Sequence, residues 1–177
     1  VALGFRTHSG WAAAVAVAGT VDRPEILARR RIAIAHGPRQ PYHAAEPLPF
    51  SEAEALIHHC REGALDLAIA AIQALMQEFR ATHAGVLVGR PRPLPPLAAI
   101  LQSHAAIHTA EGVFYREIAL EACERCGLRA IRVPETEIAE RSQSLPKLGP
   151  PWTADQKLAT LAAALSLNPR GAASSGS

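Results

Sequence analysis

"VALGFRTHSGWAAAVAVAG", residues 1–19, supports two incompatible readings, and the fold depends on which is taken. As a secretory leader it offers Arg6, an apolar run after Trp11, and Ala16-Val17-Ala18 as a cleavage site. As structure it offers two small apolar strands, Val1–Arg6 and Trp11–Ala18, joined by the turn Thr7-His8-Ser9-Gly10. The run is short and rich in alanine, so the hairpin is the better reading. Working outward, Gly19–Glu25 carries Asp22 and Pro24 and makes a second turn, and Ile26–Ala35 alternates arginines with apolar residues. Such alternation belongs to a half-exposed edge strand, and three strands on short links make an antiparallel meander.

Beyond a proline-rich loop, "HGPRQPYHAAEPLPF", apolar residues recur at helical spacing from Leu56 through Ile57, Cys60, Ala64, Leu67, Ala71 and Leu75 to Phe79. They predict a helix of about 28 residues, ~42 Å long, opened by a capping box of Ser51 and Glu54. Val86-Leu87-Val88 reads as a buried parallel strand. After the "GRPRPLPP" loop a second long helix is expected from Leu97 to Cys126, ended by Gly127. Ala130–Val133 is the last strand, a short helix starts at Pro134, and Thr153 with Gln156 caps a final helix. Alternating strands and helices in this half call for right-handed crossovers and parallel pairing. The order β-β-β-α-β-α-β-α is the ribonuclease H-like α/β plan: a mixed five-stranded sheet, order 3-2-1-4-5 with strand 2 antiparallel, flanked by helices. One domain is expected over residues 1–167, with a disordered tail over 168–177, "NPRGAASSGS".

Composition narrows the function classes. Of 177 residues, 49% are hydrophobic and 19% charged, which fits an ordinary globular chain. A net charge of +2 does not by itself point to nucleic acid. No stretch approaches the ~20 apolar residues of a membrane span. Three cysteines are too few for a disulfide framework, and Cys123 and Cys126 have no second pair with which to close a zinc site. A cytoplasmic protein is the expectation.

The stretches "HTAEGVFYREIALEACERCGLRAIRVPETEI" and "ADQKLATLAAAL" resemble the second half of RuvC-type Holliday-junction resolvases, and "LGFRTHSGWAAAV" is similar to that family's first hairpin. The resemblance implies a ribonuclease H-like fold and, in the family, carboxylates that hold two divalent metals. Carried over position by position, the first carboxylate falls on Arg6, the second on Gly89 and the fourth near Lys157 or Leu158. Only the third, Asp155, is an acid. The departure removes the two-metal nuclease from what the resemblance implies.

The same rim of the sheet gathers other polar groups. The turn after strand one brings Arg6, His8 and Ser9, with Arg6 as a forked donor and the turn amides beside it, a combination suited to anions. The loop after strand three brings Arg39, Tyr42 and His43, strand four brings Arg90, and strand five Glu135. On the following helix, "SHAAIHTAE" places His108 about 40° from His104 and Glu111 about 20° on its other side, so the three share one stripe. Two imidazoles and a carboxylate are a ligand set for one divalent metal, zinc or manganese. Ala105 stands where the familiar helical zinc motif carries its glutamate, so a protease of that type is not implied. Two functions follow. One is a non-nuclease protein that binds a small anion, a nucleotide or a nucleic-acid backbone through Arg6, Ser9, Arg39, Tyr42 and Arg90. The other is a single-metal hydrolase or phosphotransfer enzyme with His104, His108 and Glu111 on the metal and His8, His43 and Asp155 in catalytic roles. The edge strand Ile26–Ala35 permits a homodimer.

Overall fold

A computed structural model describes residues 1–90, 92–138, 140, 141, 145 and 148–167; the tail expected at 168–177 lies outside the described residues. The elements run β1 (Ala2–His8), β2 (Trp11–Gly19), β3 (Pro24–Ala33), α1 (Pro41–Ala45), α2 (Phe50–Phe79), β4 (His83–Val88), α3 (Leu97–Leu101), α4 (His104–Arg125), β5 (Arg129–Pro134), α5 (Glu135–Ile138) and α6 (Ala154–Leu167). The sheet has five strands in the order β3-β2-β1-β4-β5. β2 is antiparallel to both its neighbours, while β4 runs parallel to β1 and β5. The hairpin reading of residues 1–19 therefore holds, with Arg6 opposite Ala13 and His8 opposite Trp11.

Strand alternation sorts side chains to two faces. Leu3, Phe5, Ala12 and Ala14 face α2 and α4, where Leu65, Ile72 and Ile118 complete the larger core. Ala2, Val15 and Val17 face α6 and meet Ala159, Ala163 and Ala164. α6 lies unusually close to the sheet because Gly4 and Gly85, paired across β1 and β4, carry no Cβ. A Cβ at Gly4 would fall 1.8 Å from the Ala159 carbonyl oxygen, and one at Gly85 2.0 Å from that of Ala162. The alanine-rich helix and the two glycines are thus one packing device: backbone rests on backbone.

Three expectations change. The proline-rich loop contains a short helix, α1, with Pro41 at its first turn, where the missing N–H costs nothing. α2 starts at Phe50 after Pro49, with no side-chain cap, so Ser51 and Glu54 lie inside the helix and form no capping box. The long helix expected from Leu97 divides into α3 and α4, because Ser103 takes an extended conformation and its hydroxyl accepts a hydrogen bond from the Ala106 amide at 3.3 Å. The break makes His104 the first residue of α4. Two other caps match the sequence. Gly127 ends α4 at φ +80°, and Thr153 and Gln156 bond reciprocally, at 3.1 and 3.3 Å, before α6.

Candidate functional site: two polar clusters at one rim

Arg6 and His8 leave β1 on the α6 face. The Arg6 guanidinium donates from Nη1 to Glu135 Oε2 at 2.5 Å and from Nε to Asp155 Oδ1 at 2.7 Å. These two ion pairs raise its already high pKa against the opposing effect of burial. His8 Nε2 lies 3.1 Å from the same Asp155 oxygen, an ion-pair distance but without hydrogen-bond alignment, which leaves that nitrogen buried and unbonded. Its ring stacks on Trp11 at 4.2 Å, and Arg31 covers the other side of the indole at 4.0 Å. The two carboxylates of the cluster thus share one guanidinium, with the His8 imidazole beside Asp155. The two-metal arrangement does not fit here, since Asp155, the one acid among the positions carried over from the resemblance, is bonded to Arg6, which itself stands at another of them.

On the α4 face, α1 brings His43 against His104 and His108. One nitrogen from each of the three imidazoles lies within 4.8 Å of the other two, and the Nε2 atoms of His104 and His108 are 3.0 Å apart. Glu111 stands behind them with its side chain only 6% exposed. Its Oε1 accepts from the Tyr42 amide at 2.8 Å and the His43 amide at 3.1 Å, and lies 3.4 Å from His43 Nδ1. Glu111 therefore serves as the missing cap of α1, an anion on the free amides of a helix start. Its charge, added to burial, pushes the Tyr115 hydroxyl up to about 12 and raises Tyr42 as well. The other oxygen, Oε2, is buried with no partner among the described residues. Glu111 and Tyr115 line a cavity of about 300 Å³ with Thr7, His8, Ser9 and Gln40.

Next to this cluster lies an open hollow of about 610 Å³ between the end of β4 and the outer side of α4. Arg90, Arg92, Arg116 and His108 line it, and no carboxylate does. None of the three arginines makes an ion pair or a side-chain hydrogen bond among the described residues. Arg92 and Arg116 are absent from the sequence-based set. Arg116 follows His104, His108 and Gly112 at steps of four, so the spacing was available. The stripe followed instead, through Glu111 and Tyr115, turns inward, and both residues are buried.

The remaining expected residues are dispersed. Ser9 and Arg39 are exposed. Arg39 contributes its carbonyl to the Tyr115 hydroxyl at 3.1 Å, and its aliphatic stem lies beside Gly10. Tyr42 is half-buried and meets Phe114 edge-on at 5.9 Å, a packing role. The cysteines are free, and burial raises the pKa of each thiol, most strongly at Cys123. Held protonated, they are poor nucleophiles.

No protein-family model matches the sequence, and no curated protein does. Among solved structures the chain is similar to Thermus thermophilus RuvC in complex with Holliday junction substrate: TM-score 0.58, 11% identity, 97% of this chain and 96% of that chain. A second Thermus thermophilus RuvC structure aligns at TM-score 0.49 and 11% identity, over 92% and 90%. The fold is ribonuclease H-like. At this identity the likeness concerns architecture alone. No helix among the described residues is long and apolar enough to cross a membrane.

Proposed function

We propose that this chain is a non-nuclease ribonuclease H-like protein that binds the phosphate backbone of nucleic acid at the rim of its sheet. The observation that carries the reading is the hollow of Arg90, Arg92 and Arg116, three cations with no partner among the described residues. Unpaired guanidiniums around an open depression suit phosphodiesters, which offer forked acceptors in series. The fold likeness adds support, because the protein in the similar structure is bound to a Holliday junction. The Arg6 cluster supports the non-nuclease half, since its acids are occupied by a cation of the chain itself. Arg90 belongs to the binding set expected from sequence. Arg6 does not act as an anion donor in this proposal, because its guanidinium already serves two carboxylates.

Fluorescence anisotropy with a four-way junction, a duplex, a single strand and a mononucleotide tests the proposal. Three phosphate contacts give a slope of about −2.7 in log affinity against log salt on duplex DNA. Arg116→Ala should weaken binding about tenfold and flatten that slope by about 1, with the melting temperature unchanged. Mononucleotide binding as tight as polymer binding, with little salt dependence, would instead assign the hollow to a small anion.

A further inference from the structure

The histidine cluster makes a second and independent case. Two ring nitrogens 3.0 Å apart on successive turns of α4, with a third imidazole from α1 closing over them, either share protons or share a metal. We infer that His43, His104 and His108 together bind one zinc-class divalent ion, with Glu111 behind His43 as the carboxylate that orients it. The 3.0 Å between His104 and His108 Nε2 is close to the ~3.3 Å edge of a tetrahedral site with ~2.0 Å bonds. The rings meet in T-shaped, edge-on arrangements, at interplanar angles of 64°, 81° and 86°, so they are not stacked face to face. Adjustment of the exposed His104 and His108 side chains would close the remaining gap to His43.

Glu111 supplies what a bare pair of surface histidines lacks. Its Oε1 lies 3.4 Å from His43 Nδ1 while accepting two backbone amides, so it would hold the proton on Nδ1 and leave Nε2 to the metal. A buried carboxylate on the far nitrogen of a ligating imidazole is the usual outer layer of such sites. Its negative charge also offsets the repulsion that Arg90, Arg92 and Arg116 exert across the hollow. Three neutral nitrogens favour zinc, cobalt, nickel or copper over magnesium or manganese, which prefer oxygen ligands. The set thus differs from the one expected from sequence. His43 replaces Glu111 as ligand, and Glu111 moves one layer out. A four-coordinate ion held this way keeps one position open, and His108, which lines the hollow, places the ion at its margin.

Metal binding is measured on chelator-stripped protein without nucleic acid, so it succeeds or fails separately from the backbone-binding proposal. Cobalt(II) titration followed by visible absorption, with zinc competition, should show one equivalent of a high-affinity site. His43→Gln, His104→Ala and His108→Ala should each lose more than tenfold in zinc affinity. Their metal-free melting temperatures should match the wild type, which excludes misfolding as the cause. Glu111→Gln should keep the stoichiometry and weaken affinity about 10- to 100-fold. Undiminished affinity in His43→Gln would reduce the site to an ordinary helical histidine pair and overturn the inference. So would the absence of a one-equivalent site in the wild type, or abolition by Glu111→Gln with His43→Gln unaffected, which would make Glu111 the ligand.

Discussion

The two faces of the sheet treat their polar residues in opposite ways. On the α6 face, Arg6 is paired with both Glu135 and Asp155, His8 lies against Asp155 and Trp11, and the helix that carries Asp155 is pressed onto glycines. On the α4 face, three imidazoles crowd together and three arginines line a hollow with no acid in its wall. The first arrangement resembles a structural clamp, and the second leaves three guanidiniums without an ion pair among the described residues. The α6 face is where the two-metal resemblance would put activity, yet its charges are spent internally. The lesson is that a functional rim is better located by what its charges lack than by how many it has.

The sharpest way to break this contrast is on the clamped side. Gly85→Val should cost more than about 4 kcal/mol, seen as loss of soluble folded protein, because the new side chain would collide with the α6 backbone. Arg6→Ala is next. It leaves Glu135 and Asp155 facing each other uncompensated, and urea unfolding at neutral pH should show a loss of about 1–3 kcal/mol. A mutant no less stable than the wild type would mean the cluster is not a clamp. On the open side the signs change. Gly112→Ala in the interior of α4 meets nothing within 4 Å and should stabilise by about 0.5–1 kcal/mol in the same assay.

The smallest effect concerns pH. Arg132 donates twice to Glu117, at 2.6 and 2.8 Å, and holds that carboxyl below its usual range. A lowered carboxyl stabilises the fold fully above its ordinary pKa of 4.5, and the contribution disappears as pH falls through the lowered value. Both partners are more than a third exposed, so screening limits the effect to about 0.5 kcal/mol or less. Arg132→Gln should remove this acid-range slope, and high salt should mimic the mutation.

Much of the fold could be read from the sequence because its signals are local. The hairpin turn at Gly10, the periodicity of α2, the Thr153–Gln156 cap and the glycine ending α4 each lie within a few residues of what they specify. The strand order followed from the alternation of elements and the handedness of crossovers. α1 was not legible for an equally physical reason. Gln40, before it, makes no side-chain cap, and the carboxylate that does the capping is Glu111, 69 residues from Tyr42. Without α1, His43 could be placed only at the rim in general, and Glu111 looked like a ligand of its own helix. The split at Ser103 was legible in principle, since serine before "HAAI" is a cap signal, but the continuous apolar spacing masked it.

Because Gly4 and Gly85 seat α6 backbone to backbone, the position of Asp155 does not depend on the side chain that bonds to it. Trimming Arg6 to alanine should therefore leave a mould: the Asp155 carboxylate held in place, Glu135 across the vacated gap, and an imidazole backed by Trp11 as one wall. Free guanidinium ion has the shape and charge of the missing group. The Arg6→Ala chain would then be a receptor for small planar cations, its stability switched on by a solute rather than by a residue.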